Sequence, residues 1–177
     1  MEKAILTFGP SGAGKSKISE AFAIKNNFLH YEADRWPDQD GIDFHNLRTE
    51  WELFLGQGNP KPLYEILISR AKAEKRKGTI LSLPSMIPDS GLLFRAKQEN
   101  LHSILLYGSA AECIESFLKR EAETGRNLTL QHWYDNNHGT YMRMSSPEYA
   151  PLRVFVFNQG KRRDLNEVIT EILGRME

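Results

Sequence analysis

The stretch GPSGAGKS, residues 9–16, sets Gly9, Gly14, Lys15 and Ser16 in the pattern G-x-x-x-x-G-K-[ST], with Gly12 as a further flexible position. Glycines at this spacing let a tight loop turn its backbone N–H groups inward as an anion nest. Pro10, Ser11 and Ala13 complete the loop, the Lys15 ammonium can reach terminal phosphates, and Lys17 follows as a second cation. The Ser16 hydroxyl is of the type that joins a Mg²⁺ shell. The chemistry these types support is a grip on a nucleoside triphosphate and its metal.

A gripped triphosphate needs a carboxylate near the acceptor and cations for the transferred charge. FLHYEADRW offers Glu32 and Asp34. Asp34 is the candidate that orients or deprotonates an acceptor hydroxyl, Glu32 the softer candidate for the Mg²⁺ shell, and Trp36 a candidate wall of the acceptor site. LKREAETGRNLTL supplies Arg120 and Arg126 around a Thr124-Gly125 expected to be mobile, so both could close on the phosphates, Arg126 being the stronger candidate. NQGKRRD is a polar glycine turn in which Asn158 and Gly160 could hold a base through backbone groups, or which simply reverses the chain. The guanine-reading N-K-x-D pattern is missing, which favours ATP over GTP.

Positioning these groups falls to alternating elements. Apolar runs at 4–8, 28–31, 79–83, 103–107 and 153–157 read as buried strands, and helical patterns lie between them. That alternation predicts a parallel sheet covered by helices on both faces, with ligands at the carboxyl ends of its strands. The basic run KAEKRKG reads as a solvated helix end that Gly78 could cap.

Composition bounds the rest. A chain of 177 residues fits one α/β domain and should bury roughly 70% of its unfolded surface. Lys plus Arg and Asp plus Glu both total 23, so no net field draws the chain to nucleic acid or an anionic membrane. Cys113 is the single cysteine, which excludes an intrachain disulfide and reads as a reduced thiol on a helix. The five histidines fall into no zinc spacing. MEKAILTF lacks the features of a signal peptide, and a cytoplasmic location without a membrane partner is expected.

Taken in order, GPSGAGKS, YEAD, TILSLPSM, REAETGRNL and FNQGKRRDLNEVITEIL make nearly the whole chain resemble a P-loop kinase of the shikimate/gluconate kinase type. The carboxylate pair stands where such kinases carry D-x-D. The resemblance implies a three-layer P-loop NTPase fold with a five-stranded parallel sheet in the order 2-3-1-4-5, a single domain over 1–177, substrate-binding helices at about 36–76 and a lid at about 119–140. It implies ATP and Mg²⁺ as cosubstrates, a small-molecule phosphoryl acceptor, Asp34 on the acceptor hydroxyl and Arg126 on the phosphates. Arg143 in YMRMSSPEY resembles, at a slightly different offset, the arginine that precedes a P-x-Y-like stretch, and is a candidate for a substrate carboxylate or phosphate.

Departures concern the acceptor. Shikimate kinases carry a triple glycine after strand three, where this chain has Pro84-Ser85-Met86, and no clear F-R-x-x-E match precedes TILSLP. Proline and side chains there must reshape the acceptor pocket. Trp133, Tyr134 and Tyr141 could line that pocket, although helical packing accounts for them as well. A nucleotide or polynucleotide kinase and a non-catalytic ATP-binding module stay open as alternatives.

Overall fold

The computed structural model describes residues 2–33 and 45–176. The sequence positions Asp34 and Trp36 lie outside the described residues.

Apolar runs become strands where both faces can be buried. β1 (Lys3–Phe8), β3 (Gly78–Ser82) and β4 (Leu101–Tyr107) are buried along almost their full length, while β2 (Leu29–Glu32) and β5 (Arg153–Phe155) are shorter and less covered. They form a five-stranded sheet in the order β2-β3-β1-β4-β5, as expected. β1 pairs with β3, β2 with β3 and β4 with β5, each in parallel. Helices α1 (Lys15–Asn26), α2 (His45–Gln57), α3 (Lys61–Ala73), α4 (Ser90–Gln98), α5 (Ala110–Glu123), α6 (Leu130–Met144) and α7 (Leu165–Gly174) accompany it.

Chain contacts divide the protein into two units. The first comprises Met1–Thr7, Ser19–Leu83 and Pro88–Ser103. In it Leu63, Leu67, Ile68 and Ala71 of α3 are buried, and the Thr79 hydroxyl of β3 donates to the Leu67 carbonyl at 2.7 Å. Register sets Thr7, Ser82 and Glu32 on one rung at the strands' carboxyl ends. Ser82 Oγ lies 2.9 Å from His30 Nε2, and Ser19 Oγ donates to Thr7 Oγ1 at 3.3 Å. This polar rung lies at the carboxyl ends of the strands, where ligands of such sheets gather.

The second unit comprises Phe8–Ile18, Pro84–Ile87 and Ile104–Glu177. Here α5 starts on a capping box, in which the Ser109 hydroxyl accepts from the Glu112 N–H and the Glu112 carboxylate accepts from the Ser109 N–H. The Asp164 carboxylate caps α7 by accepting from the Asn166 N–H at 2.8 Å.

Two boundaries differ from the sequence expectation. The fifth apolar run does not continue as one strand to Phe157. After β5 the chain forms a hairpin of β6 (Phe157–Asn158) and β7 (Lys161–Arg162), antiparallel, whose two central residues Gln159 and Gly160 have φ of 50° and 77°. Two positive φ values in a two-residue loop match the twist of a hairpin and turn the chain back. Likewise α3 ends at Ala73, because Lys75 adopts φ of 55° and breaks the helix. Gly78 does not cap it; it opens β3, where a Cβ would lie 2.2 Å from the Lys3 carbonyl oxygen.

His102, in β4, carries an expected pH dependence. Its ring is buried, both nitrogens lack a hydrogen-bond partner among the described residues, and burial, together with the charges of Lys3 and Lys97, lowers its pKa to about 4. Below about pH 6.5 the unfolded chain binds a proton that the folded ring refuses, so stability falls as pH drops from 6.5 toward 4. Urea unfolding should show this loss, up to about 3 kcal/mol, and His102→Leu should remove that part of the acid limb.

Candidate functional site

The loop after β1 lies in the second unit. Gly12 has φ of 93°, and a Cβ there would sit 1.9 Å from the Cys113 carbonyl oxygen of α5, so only glycine allows both the turn and the approach. Cys113 is buried, and burial pushes its thiol up to about 12. It is a packing residue, in agreement with the expected reduced thiol on a helix.

Every carbonyl from Gly9 to Gly14 accepts a hydrogen bond. Lys15 Nζ donates to Gly9 O at 2.9 Å and to Pro10 O at 3.3 Å. Trp133 Nε1 donates to Ser11 O at 2.9 Å. Arg162 Nη2 donates to Gly12 O, and its Nη1 donates to Ala13 O at 2.7 Å. The Ile18 N–H, in the first turn of α1, closes on Gly14 O at 3.0 Å. A backbone whose carbonyls are all engaged by protein donors has only its N–H groups to offer a ligand, and the N–H groups of a helix's first turn are those that lack intrahelical acceptors. The N–H groups of Gly12 and of Gly14 to Lys17 lie at a helix N-terminus, the position suited to an anion, with the Lys15 ammonium beside them.

Two loop amides are already committed, and Ala13 N–H is one of them, donating to Pro10 O at 3.2 Å. Ser11 N–H donates to Asn137 Oδ1 at 2.9 Å, while Asn137 Nδ2 donates to the Trp133 carbonyl at 3.1 Å. Asn137 is 2% exposed and Trp133 fully buried. Helix α6 therefore clamps Ser11 through both its N–H and its C=O. Of the α6 aromatics, Trp133 packs on the loop, Tyr141 stacks on Tyr107 at 5.6 Å, and Tyr134 is exposed.

The expected lid arginines converge on one carboxylate. Glu121, 1% exposed, accepts from Arg120 Nη2 at 2.6 Å and pairs with Arg126 Nε at 3.0 Å, while both arginines stay exposed. The turn that carries Arg126 is fixed in this state. Gly125 N–H donates to Ala122 O and Arg126 N–H to Glu121 O, with Gly125 at φ of 72°. That is a Schellman stop on α5, where the sequence suggested a mobile Thr124-Gly125.

Of the other sequence candidates, Ser16 and Lys17 are exposed in the first turn of α1. Glu32 ends β2 in the first unit. Arg143 lies in the last turn of α6, exposed, with Nη2 3.5 Å from the Tyr149 hydroxyl. Asn158 and Gly160 sit in the hairpin, and Gly160 N–H donates to Glu112 Oε1 at 3.0 Å. Burial pushes the Glu112 carboxyl up, but hydrogen bonds from Ser109 and Gly160 outweigh it and hold the group below its usual range. Asn137 and Arg162 were not legible as residues of the loop, since their partners are fixed by tertiary structure; Trp133, read as acceptor-pocket lining or helical packing, bonds to the loop, and Glu121 was passed over although its partners Arg120 and Arg126 are close in sequence.

No group of three or more His, Cys, Asp or Glu side chains that could hold a metal occurs among the described residues. Ser16 and the nest fit a metal that arrives bound to phosphate oxygens rather than one held by a protein cage. No helix among the described residues is long and apolar enough to cross a membrane.

No protein-family profile matches the chain, and no curated protein matches it by sequence. Solved structures do match. A sugar kinase from Janibacter sp. HTCC2649 is 19% identical with a TM-score of 0.59, covering 99% of this chain and 95% of its own. A gluconokinase from Sinorhizobium meliloti 1021 is 18% identical with a TM-score of 0.54, covering 98% and 91%. A shikimate kinase from Acinetobacter baumannii, in complex with shikimate, is 14% identical with a TM-score of 0.51, covering 98% and 92%. The likeness is one of fold: this chain has the P-loop kinase fold of the shikimate/gluconate kinase type.

The clamp on Ser11 is open to a direct check. Asn137→Leu removes the acceptor of a loop amide and should cost about 1–3 kcal/mol, read by chemical denaturation. Nucleotide-free protein should show faster amide exchange at Ser11 in that variant.

Proposed function

We propose that the protein is an ATP-dependent kinase that transfers the γ-phosphoryl group to a hydroxyl of a small metabolite. The observation that carries this reading is the loop at 9–14, whose carbonyls are all engaged by protein donors, so that what it presents to a phosphate is N–H groups at the start of α1. The fold it shares with small-molecule kinases supports the same reading.

In this reading the amides of Gly12 and of Gly14 to Lys17 bind the β- and γ-phosphates. Lys15 exchanges its two loop carbonyls for phosphate oxygens. Asp34 accepts the proton of the acceptor hydroxyl as its oxygen bonds to the γ-phosphorus, and the bond from that phosphorus to the β–γ bridging oxygen breaks to release ADP. Arg126, with Arg120 beside it, exchanges Glu121 for the transferred phosphoryl oxygens. Bound Mg²⁺ neutralises charge on the β- and γ-oxygens, with Ser16 and Glu32 as the residues proposed for its shell. Asn158 and the Gly160 turn are the proposed contacts of the adenine, and Trp36 and Arg143 those of the acceptor.

The acceptor pocket departs from that of shikimate kinases in sequence. Pro84-Ser85-Met86 belongs to the second unit, where the Ser85 carbonyl accepts from Thr140 Oγ1 of α6 at 3.5 Å. A proline and two side chains replace a flexible glycine run, which favours an acceptor other than shikimate. The net charge of zero favours a small molecule over a long polyanion.

A screen of hydroxylated metabolites, read by ATP-to-ADP conversion and by phosphorus NMR of the product, tests the proposal. One acceptor class should stimulate turnover and appear phosphorylated. Asp34→Asn should lower kcat by roughly 10²–10⁴-fold, and Arg126→Ala by about 10³-fold. ATP hydrolysis that needs no acceptor and is indifferent to Asp34→Asn would contradict it.

A further inference from the structure

Resting on the kinase reading above, we propose that Arg162 is a positioning residue for nucleotide binding, one that holds the phosphate loop in its anion-accepting form from behind. Its guanidinium spans two consecutive loop carbonyls, Nη2 on Gly12 O and Nη1 on Ala13 O, and Nη2 also donates to Ser116 Oγ of α5 at 2.7 Å. These are the carbonyls of the two residues that lead into Gly14 and Lys15, the centre of the nest. Within a peptide plane the C=O and the following N–H point in opposite directions. Fixing the Gly12 and Ala13 carbonyls therefore fixes the Ala13 amide, which closes the loop on Pro10 O at 3.2 Å, and the Gly14 amide, which is aimed away from Arg162. A planar fork with two parallel donors can do this for two carbonyls together; an ammonium, with its donors on one nitrogen, cannot match that geometry.

The guanidinium is itself held. Its carbon lies 4.3 Å from the centre of the Phe157 ring, and Phe157 is the direct cross-strand partner of Arg162 in the hairpin. Among the described residues Arg162 forms no ion pair, so its charge is not cancelled by a carboxylate and adds to the field on the loop. The hairpin thereby has a second role besides its proposed contact with the base. It carries, 149 and 150 residues along the chain from their acceptors, the donors that keep the phosphate loop in shape.

Calorimetric titration with Mg·ADP and, separately, with inorganic pyrophosphate tests this in the wild type, Arg162→Lys and Arg162→Met, each checked for folding by circular dichroism and thermal unfolding without ligand. Arg162→Met should weaken ADP by roughly ten- to a hundredfold, and pyrophosphate by the same factor. Arg162→Lys, which keeps the charge without the fork, should still be weakened by at least about fivefold. ADP affinity unchanged in Arg162→Met overturns the inference. So does a loss confined to ADP with pyrophosphate unaffected, which would put the role at the base, and so does wild-type affinity in Arg162→Lys, which would make charge alone sufficient. A wild type that binds neither ligand overturns the kinase reading itself, a result distinct from all of these. Should Arg162→Met fail to fold, Arg162→Gln replaces it with the same expectations.

Discussion

The arrangement at the loop after β1 depends on where six carbonyl groups find their donors. A glycine-rich turn can flip its peptides at little cost, and a flipped peptide would present an oxygen where phosphate needs an N–H. Lys15, Trp133, Arg162 and the first turn of α1 remove that freedom by engaging Gly9 to Gly14 in sequence. Two of these donors, Trp133 and Arg162, are side chains distant in the chain. The nest is therefore a tertiary structure, built by α6 and the β6–β7 hairpin as much as by the loop's own residues.

Charge is organised with similar economy. Glu121 is buried on α5, and an unpaired buried carboxylate would be costly, so Arg120 and Arg126 both lean on it. In the proposed reaction those two arginines are the cations assigned to the transferred phosphoryl group. Their pairing with Glu121 keeps them ordered beside α5, and their exposure leaves them accessible to a competing anion. The Schellman stop at Gly125 sets where α5 ends and hence where Arg126 begins its reach.

Much of this was legible in the residues. Five apolar runs located the strands because a sheet buried on both faces demands continuous apolar sequence, and the G-x-x-x-x-G-K-S spacing located the glycine turn between β1 and α1, with φ of 93° at Gly12 and 86° at Gly14. What escaped sequence reading was set by long-range contact. Nothing near Asn137 or Arg162 in the chain announces that each bonds to a loop more than a hundred residues away. The end of α3 was misjudged for a local reason, since Lys75 takes a left-handed conformation more often given to glycine, and the glycine that looked like a cap was needed inside β3. The continuous apolar stretch at 153–157 concealed a break at Val156, whose N–H donates to Tyr107 O before the chain turns into the hairpin.

The central claim is that the amides of Gly12 and of Gly14 to Lys17 grip a polyphosphate. Titrating nitrogen-15-labelled protein with Mg·ADP and following its backbone amides measures this most directly. The account requires the Gly12, Gly14, Lys15, Ser16 and Lys17 resonances to move together and saturate with one affinity, with the Lys15 side chain shifting alongside them. Saturable ADP binding that leaves those resonances in place, or no binding at all, would contradict it.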